Sequence, residues 1–294
     1  MPKVSVNGCL YNYEERGAVE REVRGEAESA RTRFPQAPAA EGAGDQTIFF
    51  GHGLLYAWQS FEHQIAHFAR KGYRVIAVDW RGQGETEGAG EPDAYSLYRL
   101  GDDAYALLQQ LGVQRCHWVG LSMGGMVAMR LYPRHPELFQ SLALIDSSAA
   151  DDQEHLPMYR QMAETYLAYG AVPPIIQGLD ATFYTSEFPQ KNPAEVERWH
   201  QYWQNMPDRQ AEYNAVIPVI ERDDVSELVN QINVPTLILC GEQDVSTQPQ
   251  HSEDLHRRIK GSKYITIPNC GHMSSIEQAE AVTQALDDFL SSLG

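Results

Sequence analysis

The chain has 294 residues, 43% of them apolar, and sets 23 basic against 40 acidic side chains for a formal net charge of −17. That length and apolar share support a substantial core and more than one packed unit. The negative balance argues against nucleic acid and against anionic membrane surfaces as partners, since both demand a positive patch.

The opening Met1-Pro2-Lys3-Val4-Ser5-Val6-Asn7 lacks the charged-then-apolar plan of a signal peptide. No apolar run approaches the roughly 20 residues of a membrane span. Four widely spaced cysteines form neither a C-x-x-C pair nor a disulfide framework. Cys116, Cys240 and Cys270 lie in or beside expected core strands and read as buried thiols. A cytoplasmic protein is expected.

Short strands at 4–6 and 9–13 flank Asn7-Gly8, the sequence signal of a two-residue hairpin. Residues 17–45, rich in Glu, Ala, Gly, Arg and Pro without a sustained apolar period, read as an exposed, flexible insertion. Beyond it the pattern alternates. Apolar strands are expected at 47–50, 74–78, 116–119, 141–145, 236–240 and 264–267, with helical segments at 58–70, 103–111, 252–259 and 277–290 between and after them. Such alternation predicts an α/β fold with a mostly parallel central sheet covered by helices on both faces. From about 150 to 231 no strand is expected, only amphipathic helical stretches punctuated by prolines. The simplest organisation is a core of 1–149 and 232–294 carrying an inserted helical lid at 150–231.

Gly120-Leu121-Ser122-Met123-Gly124 sits between an apolar strand and the helical Gly125-Met126-Val127-Ala128-Met129-Arg130-Leu131. G-x-S-x-G on a strand-to-helix turn is a nucleophile elbow, which pushes the serine hydroxyl out at the top of a sheet. That hydroxyl needs a base, and the base an orienting acid. Six histidines follow Ser122, and of these His272 alone stands in a loop just after a core strand, where catalytic groups gather. Two acids lie just past strand ends, Asp244 and Asp146. Asp244 is preferred because it follows the strand preceding that of His272. Asp146 is the alternative, with a structural role at the lid hinge otherwise. An oxyanion hole needs two backbone donors, expected from Met123 and from Leu54 in Gly51-His52-Gly53-Leu54-Leu55. His52 precedes Ser122 and is expected to hold its own turn by hydrogen bonds.

His52-Gly53, Asp79-Trp80-Arg81-Gly82-Gln83-Gly84, the Ser122 elbow, Gly241-Glu242-Gln243-Asp244 and Gly271-His272 occur in family order. On these motifs the chain resembles a lidded α/β-hydrolase over nearly all its length except 17–45. Gly-Leu-Ser-Met-Gly-Gly and the ending Gly271-His272-Met273-Ser274-Ser275-Ile276-Glu277 are similar to 3-oxoadipate enol-lactonase-like enzymes and small carboxylesterases. The serine at the elbow departs from haloalkane dehalogenases and epoxide hydrolases, which carry Asp there. The resemblance implies a cofactor-free serine hydrolase of a small-molecule ester or lactone, working through an acyl-enzyme. Carbon–carbon hydrolysis of ring-cleavage products, acyl transfer, perhydrolysis, or slow-turnover ligand sensing on the same triad are the alternatives.

His63 and His67 stand four apart on an expected helix, but without H-E-x-x-H or a third ligand they read as an exposed face, and no metal is expected. Met158, Met162 and Tyr166, and Trp199 and Trp203, form lid stripes that pack the lid on the core and line an acyl pocket where they face Ser122.

Overall fold

The computed structural model describes residues 2–17, 46–88 and 92–294. Apart from Gly17, the insertion expected at 17–45 lies outside the described residues. Eight strands form one sheet: β1 (Lys3–Val6), β2 (Cys9–Arg16), β3 (Thr47–Gly51), β4 (Arg74–Val78), β5 (Cys116–Leu121), β6 (Phe139–Ile145), β7 (Thr236–Gly241) and β8 (Lys263–Ile267). Their order is β1-β2-β4-β3-β5-β6-β7-β8. The first two pairings, β1 with β2 and β2 with β4, are antiparallel, and the others parallel. At the hairpin Asn7 and Gly8 both take positive φ, 49° and 78°, as a two-residue turn matched to strand twist requires.

Successive strand residues point to opposite faces, so Phe49 and Phe50 serve different cores. Phe49 packs with Trp118, Met126 and Leu142 on one side of the sheet. Phe50 joins Phe61, Phe68, Val119 and Leu239 on the other. Helix α1 (Glu62–Arg70) follows a 3-10 turn at Trp58–Phe61. Helix α2 (Leu97–Gln110) begins six residues earlier than its apolar period predicts. Ser96 caps it by accepting from the Arg99 N–H, and Gly101 inside it lets Leu131 of α3 (Met123–Leu131) approach closely.

Between β6 and β7 the chain forms only helices: α4 (Leu156–Tyr169), α5 (Pro173–Phe183), α6 (Phe188–Lys191), α7 (Pro193–Gln204), α8 (Arg209–Ile220) and a 3-10 turn at Leu228–Gln231. Proline stands in the first turn of α4, α5, α6 and α7, where its missing N–H costs nothing. The prolines thus mark helix starts within an inserted lid. After β7 come α9 (Pro249–Arg258), α10 (Ser274–Glu277) and α11 (Ala279–Ser291). The single helix expected at 277–290 is therefore broken, with Gln278 outside helical geometry at φ −130°, ψ 50°. His63 and His67 of α1 face α11, where His63 bonds the Thr283 hydroxyl and His67 meets the Asp287 carboxylate. Among the described residues no helix is long and apolar enough to cross a membrane. All four cysteines are free and buried, Cys9 included.

Candidate active site

The chain leaves β3 toward β4 on one side and returns to β5 on the other, and ligands bind at such switch points outside the carboxyl ends of the strands. Ser122 sits there, between β5 and α3, with φ +49° and ψ −113°. Side chains seldom tolerate positive φ, and the fold holds this residue firmly. Its N–H donates to Ile145 O at 2.8 Å, and its carbonyl accepts from Gly125 N, Met126 N and the Ser147 hydroxyl. The turn leaves no room for neighbouring side chains. A Cβ on Gly120 would stand 2.5 Å from the Gly124 carbonyl, and one on Gly124 2.0 Å from Gly51 O.

His272 lies in the loop between β8 and α10, buried, with Nε2 2.9 Å from Ser122 Oγ and Nδ1 2.8 Å from Asp244 Oδ2. Asp244 follows β7, and its Oδ1 accepts from the backbone N–H groups of Ser246 (2.8 Å) and Thr247 (3.0 Å). Its Oδ2 also accepts from the Thr247 hydroxyl at 2.9 Å. The Phe183 ring from the lid lies nearly parallel to the His272 imidazole, with centroids 5.9 Å apart. Burial pulls the imidazole pKa down, but the Asp244 charge and hydrogen bond more than offset this and raise it above the ordinary 6.5.

Asp146 is also buried at the strand ends, yet it makes no hydrogen bond to His272 among the described residues. Its φ of +46° accompanies a carboxylate turned onto other donors: Gly241 N at 2.7 Å to Oδ1 and the Ser274 hydroxyl at 2.5 Å to Oδ2. Burial first, then the Asp244 charge, push its pKa up to about 7. Asp146, Cys240 and Asp244 bring ligand-type atoms within 4.8 Å of one another. Both carboxylates already accept from protein donors, and burial raises the Cys240 thiol pKa far from the thiolate a metal needs. The trio fits a hydrogen-bonded cluster and not a metal centre.

Met123 directly follows Ser122 and Leu54 lines the same cavity as the serine, and neither amide has an acceptor among the described residues. Met123 opens α3, whose first N–H groups lack intrahelical partners and carry the positive dipole end. The Leu54 turn is pinned on both sides. Leu55, at φ +62°, donates its N–H to Gln83 Oε1 and accepts from the Trp203 indole of the lid. His52 lies beneath, donating from Nδ1 to Gly53 O at 2.7 Å while Nε2 accepts from the Trp80 N–H at 3.1 Å. Burial lowers its pKa to about 4, so it remains neutral while it holds the turn. Asp79 likewise serves the loop after β4, accepting from Trp58 N, Asn12 Nδ2 and Glu85 N.

Residues 46–279 match the family described by the alpha/beta hydrolase fold. The chain belongs to that family. The AB hydrolase superfamily protein YisY of Bacillus subtilis is 27% identical over 256 residues, covering 83% of this chain and 91% of that one. The 3-oxoadipate enol-lactonase 1 of Acinetobacter baylyi is 27% identical over 246 residues, covering 84% and 89%. The crystal structure of the enol-lactonase from Burkholderia xenovorans LB400 superposes with a TM-score of 0.82 at 23% identity, covering 99% of this chain and 100% of that one.

In this α/β-hydrolase the lid covers a cavity of about 110 Å³ that reaches Ser122 and His272. Met162, Tyr166, Phe183, Trp203 and Val216 supply apolar wall. Of the two stripes read from the sequence, Met162, Tyr166 and Trp203 face this cavity, whereas Met158 is 48% exposed and Trp199 packs in the core beneath the lid. Sequence reasoning missed four polar participants. Ser246 and Thr247 follow Asp244 at the offsets of an Asx turn, a signal that could have found them. Glu212 and Arg222 also line the cavity, and no local pattern marks either one.

Proposed function

We propose that this chain is a serine hydrolase that cleaves a carboxylic ester or lactone of a small molecule through an acyl-enzyme on Ser122. The observation that carries the reading is the continuous hydrogen-bonded line from Asp244 through His272 to Ser122, opening on a lidded cavity beside two free amides. Neutral His272 accepts the Ser122 proton at Nε2 as Oγ attacks the carbonyl carbon. Asp244 holds the Nδ1–H tautomer and stabilises the imidazolium that forms. The developing oxyanion is received by the Leu54 and Met123 amides, and loss of one such donor costs roughly 10²–10³ in turnover. The imidazolium then protonates the leaving alkoxide, and a water activated by the same histidine cleaves the acyl-enzyme. The reaction calls for no cofactor, and similarity to an enol-lactonase agrees with a lactone among the substrates.

Steady-state hydrolysis of 4-nitrophenyl esters of graded acyl length, with S122A as the blank, tests this. Turnover that peaks at one length and vanishes in S122A is expected. Absence of Ser122-dependent turnover of both esters and lactones, or a single burst equal to the enzyme concentration, refutes it.

A further inference from the structure

Among the described residues three arginines are buried: Arg81, Arg130 and Arg222. Arg81 holds the Asp103 carboxylate at 2.8 Å, and Arg130 holds Asp223 at 2.8 Å. Arg222 differs. Its Nε donates to Ala150 O at 2.9 Å and its Nη1 to Val219 O at 3.0 Å. Nη2 makes no hydrogen bond, and no carboxylate pairs with the guanidinium among the described residues. Carboxylates are close in sequence, but Asp223 is taken by Arg130 and Asp224 accepts from Ser226 N. Asp152, which lines the same cavity, is turned toward the N–H and ring of His155.

A buried cation with no carboxylate in ion-pair contact is costly, and burial pulls the Arg222 pKa below its ordinary value although the Asp152 and Asp151 charges act to raise it. The two backbone carbonyls fix the guanidinium at the junction where the lid leaves and rejoins the core. Its remaining donors belong to a side chain that lines the cavity reaching Ser122, which Tyr159, Ser246 and Thr247 also line. A planar guanidinium with a free edge matches a carboxylate in geometry and charge. The formal net charge of −17 repels anions from the molecule as a whole, so a preference for an anionic substrate has to come from a local cation.

We propose that Arg222 binds a carboxylate on the acyl part of the substrate, so that the preferred ester or lactone is an acid half-ester or its cyclic equivalent. This rests on the hydrolase reading above and narrows its substrate class. Arg222 selects the acyl group by its charge, and the apolar lid wall packs the carbon chain between that carboxylate and the scissile carbonyl.

The test compares mono-4-nitrophenyl succinate, glutarate and adipate with their methyl-capped neutral counterparts. For the best chain length, the parent enzyme is expected to favour the free acid in kcat/KM, mainly through KM. R222Q should reduce that acid-to-capped ratio by roughly tenfold to a hundredfold, the scale of a lost hydrogen bond to a charged group, and R222K should restore part of it. A ratio below one in the parent, or one that R222Q leaves unchanged while both esters slow equally, makes Arg222 a lid clasp and overturns the proposal. Calorimetric titration of S122A with monomethyl and dimethyl glutarate reads the same contact without catalysis or an Arg222 variant. Tighter binding of the monoacid supports the anchor, and equal or weaker binding overturns it. If no ester is hydrolysed, the hydrolase reading fails, and the titration still decides for or against Arg222.

Discussion

Replacing Asp244 with asparagine tests the assignment of the acid at the level of single protons. Asp244 Oδ1 accepts from two backbone N–H groups, Ser246 and Thr247. Asparagine must keep its carbonyl oxygen there, because turning the amide would set its NH₂ against two fixed donors. The NH₂ then faces His272 Nδ1, where the carboxylate now lies 2.8 Å away, and it can only donate. His272 is forced into the Nε2–H tautomer, which cannot accept the Ser122 proton. The structure around it need not move, since the Thr247 hydroxyl can rotate to accept. The expected loss in kcat is about 10⁴-fold, the cost of the wrong histidine tautomer in a serine triad, or about 5.5 kcal/mol of transition-state stabilisation.

D146N provides the contrast. Its carbonyl oxygen can keep Gly241 N, and its NH₂ can donate to the Ser274 hydroxyl, which rotates, at the loss of the long 3.4 Å bond from the Ser274 N–H. Burial, then the Asp244 charge, already push the pKa of the parent side chain up to about 7. D146N is therefore expected to retain kcat within about tenfold, the scale of one altered hydrogen bond. Ester hydrolysis by both variants, with thermal melts to show that each is folded, is the assay. A crippled D146N beside an active D244N would refute the reasoning and move the acid to the end of β6.

The acidic limb of the kcat/KM profile should lie above pH 6.5, because the Asp244 charge and hydrogen bond hold the His272 pKa above that ordinary value despite burial. The base works only when neutral, so activity falls as pH drops through the raised pKa, and D146N, which removes a second nearby negative charge, should move the limb to lower pH. Glu212 is buried with Oε1 unpartnered among the described residues and Oε2 bonded to the Tyr166 hydroxyl, and burial raises its pKa from 4.5 to about 8. The folded state keeps this proton where the unfolded chain has lost it, so its contribution to stability declines from about pH 4.5 to about pH 8 and is flat above. E212Q should accordingly melt higher than the parent by a margin that grows across that interval, and a constant or shrinking margin would contradict the burial argument. G124A forces a methyl group to within 2.0 Å of Gly51 O, so it should destabilise the fold by about 1–3 kcal/mol or more, read from denaturant unfolding.

Much of the fold is legible because its signals are local. Asn7-Gly8 specifies a hairpin by its own φ values, and the parallel strands are fully buried apolar runs, as in β3, β5 and β7. The prolines that punctuate the stretch between β6 and β7 are local signals too, since four helices there carry proline in the first turn. The start of α2 was hidden by Gly101, which breaks the apolar period yet is required by close packing against Leu131. Glu212 and Arg222 carry no local signal. Each becomes informative only through what the other described residues do not supply: a donor for Glu212 Oε1 and a carboxylate in ion-pair contact for Arg222.

The competition between Asp146 and Asp244 shows where sequence reasoning stops. Both residues follow neighbouring strands, β6 and β7, and both end up buried near His272. Strand adjacency favours Asp244 but cannot determine where a carboxylate points. The backbone does that. Asp146 comes directly after Ile145 and turns at φ +46°, which commits its oxygens to Gly241 N and Ser274. Asp244 stands three residues beyond Gly241, on a turn whose amides grip one oxygen and leave the other for His272 Nδ1. Asp146 thereby ties the end of β7 to the start of α10, just after His272, because its two oxygens hold one residue from each. Its effect on chemistry should therefore pass through the position and charge of His272, which is why D146N is expected to move the pH profile more than the maximal rate.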